Sequence, residues 1–307
     1  WRLDVAADLG YSERFNHQFW RDFRKAVKSA NPNAIILAEH YGDPKNWLAG
    51  DQWDTIMNYD AFMEPVTWFL TGMEKHSDSF QKCTLGNINN FEGSMNHYMT
   101  SFLTPSLYCS MNQLSNHDHS RFLTRTNHRP GRVDTLGAQA ASEGINKGVF
   151  REAVVIQMTW PGAPTLYYGD EAGVCGFTDP DNRRTYPWGK EDKELILFHK
   201  EIIRIHKEHQ ALRTGSVKFL QGEHNLLCYA RFNRQEQLIV LVNNADGSRE
   251  ADISVWAAGI PMSAQLEQLI FTNENGYSVV PVVYTVSEGR LKIMLPKYSS
   301  VVLKRKN

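Results

Sequence analysis

Three carboxylic acids stand where apolar runs of the chain give out. Asp4 follows Trp1-Arg2-Leu3, Glu39 closes Ala34-Ile35-Ile36-Leu37-Ala38, and Asp118 ends Leu114-Ser115-Asn116-His117-Asp118. Short apolar runs of this kind read as strands, and an acid at the tip of each predicts that the three serve one site. Carboxyl groups gathered at a site can divide the work of acid–base chemistry. One stays ionised as nucleophile or charge stabiliser, while another is kept protonated to give up its proton.

The elements that must position them follow a regular order. From Val5 to His209 short β-rich runs alternate with longer helical stretches, the pattern of strand–helix units around a parallel sheet. Five strands are expected, over Trp1–Val5, Ala34–Glu39, Thr55–Tyr59, Ser110–Ser115 and Pro164–Tyr168. Helices are expected over Asn16–Ala30, where Phe19, Phe23, Ala26 and Val27 share one face, over Phe150–Met158, and over Lys193–His209. After Leu212 the chain changes to short alternating runs such as Leu226–Phe232 and Gln237–Val242, with turn residues at Asn243–Gly247 and Glu288-Gly289. That character predicts an all-β sandwich over 212–307 and a catalytic domain over 1–211. The stretch Gly169–Lys190, rich in Gly, Asp, Pro and Arg, is too long for a plain connector and is expected to be functional.

Composition narrows the class of partner. With 33 Lys and Arg against 34 Asp and Glu the formal net charge is −1, so the basic excess of a nucleic-acid binder is missing and a neutral partner such as a sugar fits. No apolar run approaches the roughly 20 residues of a membrane span. The four cysteines, Cys83, Cys109, Cys175 and Cys228, are widely spaced with no C-x-x-C pair, which leans toward free thiols and a cytoplasmic setting.

Hydrolysis of a glycosidic bond with retention needs a carboxylate nucleophile and a carboxylic acid about 5–5.5 Å apart, and strand ends of a barrel supply such a pair from distant positions. Here the chain resembles the α-amylase family, glycoside hydrolase family 13, on its neopullulanase and cyclomaltodextrinase side. Arg2-x-Asp4 matches the family's R-x-D, Glu39 its general-acid strand and Asn116-His117-Asp118 its N-H-D. The run Asp179-Pro180-Asp181-Asn182-Arg183-Arg184, after Pro164-Thr165-Leu166-Tyr167-Tyr168-Gly169-Asp170-Glu171, resembles the eighth-strand loop of that subgroup. Each piece alone has a plainer reading, as an ion pair, a helix cap or an Asn/Asp turn. Their joint occurrence in family order carries the resemblance.

The resemblance implies a fold: the C-terminal part, about strands four to eight, of a (β/α)8 TIM barrel, followed by the β-sandwich. It implies that Asp4 is the nucleophile, with Arg2 on the same strand face holding it ionised. Glu39 is then the acid/base, needing a raised pKa from desolvation or a nearby anion. Asp118 stabilises the oxocarbenium-like transition state and His117 bonds the same sugar. Asp179 and Arg183 fall where relatives contact the next sugar, and Tyr41 where an aromatic stacks on the leaving side. The implied activity is cleavage of α-1,4 glucosidic bonds, with α-1,6 as a further option, in maltooligosaccharides, cyclodextrins, pullulan or starch. A transglycosylase of the same family, a non-catalytic relative and a carbohydrate-binding module are the alternatives. No cofactor is expected, with calcium left open, as is a homo-oligomer.

Departures are expected to matter on the acceptor side. Ala7-Asp8 stands where many members carry Lys-His or Asn-Glu, and Glu39-His40-Tyr41-Gly42 replaces Glu-x-Trp. The first three strands of the family barrel have no counterpart in these residues. Five strands cannot close a barrel of eight, so an N-terminal half of the barrel is an expected partner of this chain.

Overall fold

The computed structural model describes residues 1–306. Five parallel strands are found in the expected places, each shorter than its apolar run: β1 (Arg2–Leu3), β2 (Leu37–Ala38), β3 (Thr55–Ile56), β4 (Met111–Gln113) and β5 (Ala163–Thr165). They neighbour one another in chain order. Strand β2 lies between β1 and β3, a parallel bridge joins Met57 to Met111, and β4 pairs with β5. Backbone bonds carry each ladder past the strand ends, as in Leu37 N–H to Trp1 O and Glu39 N–H to Leu3 O, both 2.8 Å, and Met57 N–H to Ala38 O, 2.9 Å. This is the parallel α/β arrangement expected for part of a barrel.

The chain divides into two compact units. The first comprises Trp1–Pro65, Gly93–Gln113 and Gly162–Thr165, and so contains all five parallel strands. Its core packs Leu3, Ala6, Ile36, Ala38 and Ile56 from the strands and their ends against Trp20, Leu48 and Trp53. Helix Glu13–Ala30 begins where Ser12 Oγ accepts the Phe15 N–H at 3.2 Å, the usual N-cap exchange of a side-chain acceptor for an orphan amide. The helix is tied to the start of the sheet by Asp54. Its Oδ1 accepts from Arg24 at 2.7 Å, and its Oδ2 accepts from Lys28 and from the Ile36 amide, each at 2.8 Å. Desolvation opposes the charge on Asp54, but these donors outweigh it and hold the carboxyl below its ordinary value.

The second unit is the rest of the described chain. Helix Lys147–Thr159, capped by Asn146, is buried from Gly148 to its end, and helix Lys193–Glu208, capped by Asp192, buries Leu195, Phe198, Ile202 and Ile205. The same unit holds the antiparallel domain: β6 (Ser216–Phe219), β7 (Leu226–Phe232), β8 (Gln237–Asn243), β9 (Arg249–Ser254), β10 (Ala264–Asn273), β11 (Gly276–Ser278), β12 (Val283–Ser287), β13 (Arg290–Leu295) and β14 (Ser299–Arg305). They form one hydrogen-bonded path in the order β6-β7-β8-β14-β10-β12-β13-β9, with β11 beside β10. Leu226, Cys228 and Ala230 of β7 share a core with Ala251 and Ile253 of β9, from the far end of the path. The two layers of the domain are therefore one sheet folded over on itself. Glu288 and Gly289 make the β12–β13 turn with φ of 53° and 72°, the left-handed pair that a two-residue hairpin of this twist requires.

The four cysteines are free, Cys83 and Cys109 exposed, Cys175 and Cys228 buried. Among the described residues no helix is long and apolar enough to cross a membrane.

Candidate active site

Arg2, Asp4, Glu39 and Tyr41 lie in the first unit. Asp4 follows β1 and Glu39 follows β2, and parallel pairing in register (Leu3 opposite Ala38) brings the two carboxyls to the same end of adjacent strands. Arg2 serves both. Its Nη1 donates to Asp4 Oδ1, and its Nη2 lies 3.1 Å from Glu39 Oε2. Desolvation works against the guanidinium charge, but the hydrogen bond to Asp4 and the fields of Glu39 and Asp4 outweigh it and raise its pKa. The two acids differ sharply in exposure, with the Asp4 side chain 75% accessible and that of Glu39 14%.

The backbone between them is held in an uncommon conformation. Val5 is left-handed, at φ 44° and ψ 43°, which is strained for a β-branched residue. Its N–H donates to Glu39 Oε2 at 3.1 Å. The following loop is fixed by the helix: Asn16 Nδ2 donates to the carbonyls of Ala6, Ala7 and Leu9, each at 3.0 Å, and Trp20 Nε1 to Ala6 O at 2.9 Å. Asn16 and Trp20, both buried, thus set the path of the chain leaving Asp4.

Beside Glu39 is a cavity of about 280 Å³ lined by Val5, Ala7, Asp8, Glu39, His40 and Tyr41. Tyr41 stacks on buried Tyr59, rings 4.1 Å apart and 4° from parallel, which orients the ring at the cavity edge. Burial pushes the His40 imidazole below its ordinary value against the pull of Asp43, Asp60 and Asp8. Asp8 and His40 were not singled out as site residues from sequence. The available signal was their place in the two stretches, Ala7-Asp8 and Glu39-His40-Tyr41-Gly42, that depart from the family pattern beside the acids.

His117, Asp118, Asp179 and Arg183 lie in the second unit and come together there. Asn116 Oδ1 accepts the amides of Asp118 and His119, at 2.9 and 3.0 Å, which shapes the turn that presents His117 and Asp118. The imidazole of His117 is 3.4 Å from Asp118 Oδ2. Arg183 pairs with Asp179 at 2.6 Å, reaches to 3.9 Å from Asp118 Oδ1, and donates through Nε to His117 O at 3.0 Å. A cation, an imidazole and two carboxylates in this arrangement offer the directional donors and acceptors that bind sugar hydroxyls. Among the described residues no group of three or more His, Cys, Asp or Glu is gathered as a metal site.

Residues 7–213 match the model of the α-amylase catalytic domain. The chain is 32% identical to neopullulanase 2 of Thermoactinomyces vulgaris over 99% of its own length and 44% of that protein. It is 34% identical to a cyclomaltodextrinase of a Bacillus species over 80% of its length and 38% of that protein. The debranching enzyme of Nostoc punctiforme superposes with a TM-score of 0.75 at 26% identity, covering 99% of this chain and 57% of that one. The chain thus spans less than half the length of these two curated relatives.

Proposed function

The chain belongs to the α-amylase family, and from that footing we propose that it carries the catalytic carboxyls of a retaining α-glycosidase acting on α-1,4 glucosidic bonds of maltooligosaccharides, cyclodextrins, pullulan or starch. Cleavage of α-1,6 bonds is the further option. The observation that carries this reading is the guanidinium of Arg2 shared between Asp4 and Glu39. One guanidinium holding both carboxyls is consistent with the short separation, about 5–5.5 Å, that double displacement needs.

In this mechanism Asp4 attacks the anomeric carbon while Glu39 protonates the departing glycosidic oxygen. The C–O bond breaks, and the sugar remains as an ester on Asp4. Glu39, now the base, takes a proton from water, whose oxygen attacks the same carbon and releases Asp4. Exposure suits the division: Asp4 is open to attack substrate, and Glu39 is shielded. Asp118 and His117 bind the hydroxyls of the sugar being cleaved, Asp179 and Arg183 those of the next one, and Tyr41 stacks on the leaving side. The names of the relatives, neopullulanase and cyclomaltodextrinase, support the substrate class. Their greater length supports a further part of the barrel as partner of this chain.

The test is maltotriose hydrolysis by the full-length protein beside a Glu39→Gln variant. Turnover is expected to fall by about a thousandfold with the thermal midpoint retained. Undiminished hydrolysis by a folded Glu39→Gln protein would sink the assignment.

A further inference from the structure

The turn Asn116–His119 has each of its four consecutive backbone carbonyls received by the segment 178–183. Asn182 Nδ2 donates to Asn116 O at 3.0 Å and to His119 O at 2.7 Å, Arg183 Nε donates to His117 O at 3.0 Å, and Asp118 O accepts from Thr178 Oγ1 and, at 3.2 Å, from the Asp179 amide. Of these donors Asn182 alone spans both ends of the turn, and it is completely buried. Its amide has only one workable orientation, since turning it over would set Oδ1 against two carbonyl oxygens. Asn182 is itself anchored. Its carbonyl accepts from Arg121 Nε at 2.9 Å, and buried Arg121 is fixed by Asp170 at 2.9 Å and Tyr168 O at 2.5 Å.

We propose that Asn182 is the positioning residue of Asp118 and His117: a buried amide that clamps the two ends of their turn and passes to it the rigidity of the Arg121–Asp170 pair. The inference rests on the reading that Asp118 and His117 act on the sugar. Asn182 touches no reacting atom, and a side chain presented from a loosened turn costs turnover because displacement of about 1 Å costs about a hundredfold in rate.

The experiment uses the full-length protein with Asn182→Ala and Asn182→Asp, the second keeping the volume while replacing the double donor by an acceptor. Amide hydrogen exchange over 116–120 is read together with kcat and KM on maltotriose, alone and combined with Asp118→Asn. Exchange of the turn is expected to accelerate, kcat to fall about a hundredfold with KM within about twofold, and the loss to vanish when Asp118→Asn is already present. Unchanged exchange of the turn in either folded variant, or a kcat loss that adds in full to that of Asp118→Asn, overturns the inference. Full activity of Asp118→Asn sinks the functional reading alone, and the exchange of the turn then still decides whether Asn182 holds it.

Discussion

A guanidinium that serves two carboxylates through separate nitrogens cannot be replaced by an ammonium without loosening one of them. Arg2→Lys is therefore expected to lower kcat about tenfold or more, while stability to urea changes by about 1 kcal/mol or less because the pair is partly solvated. A pH effect belongs to His119, which is fully buried. Burial first, then the charges of Arg125, His76, Lys75 and His117, push its imidazole down to about 2. The unfolded chain takes up the proton near pH 6.5 and the folded chain does not, so stability is fully present above that pH and falls by about 1.4 kcal/mol per unit as the pH drops below it. Urea unfolding at pH 7 and pH 5 is expected to show a loss about 2 kcal/mol greater for the wild type than for His119→Gln. Arg2 and Asp4 were legible as partners because alternation puts them on one strand face. The sharing with Glu39 was not, since it depends on the register of two strands far apart in the chain. The role of Asn182 was not legible either, because a side-chain clamp on backbone carbonyls leaves no trace in residue type.

At the scale of elements the sheet of the first unit is held to its helix by Asp54, which takes two cations and the Ile36 amide. Asp54→Asn keeps the shape but sets an amide against those donors and is expected to cost about 2–3 kcal/mol in denaturant unfolding. The apolar runs marked where strands lie. They overstated their lengths, because side chains stay apolar beyond the last paired residue, to line the core or reach the site, while only two or three residues complete a ladder. Ser12 explains why helix Glu13–Ala30 starts earlier than its apolar face suggested: the cap, not the periodicity, sets the first turn. The Glu288-Gly289 hairpin was legible because few residues tolerate its dihedrals. The order of the nine-stranded sheet was not, since the pairings of β14 with β8 and of β13 with β9 join strands distant in the chain and the alternating pattern gives facing without neighbours.

At the scale of the molecule, the first unit exposes an aromatic row. Tyr11, Phe15, Phe19 and Phe23 run along helix Glu13–Ala30 and its lead-in, and Trp1 packs edge-on against Phe23. Tyr11 is 88% and Trp1 67% accessible. A continuous apolar face of this kind associates in water. The 307-residue chain by itself is expected to self-associate in sedimentation velocity, and Phe15→Lys with Phe19→Lys to shift it toward monomer. The antiparallel domain carries a different constraint. Strand β14 lies between β8 and β10, so the last strand of the described residues is a central one in the sheet. Without it the path separates into β6-β7-β8 on one side and β10-β12-β13-β9 on the other. A substitution that unseats residues 299–305 therefore breaks two ladders at once, to β8 and to β10, whereas one that unseats the edge strand β6 breaks a single ladder, to β7.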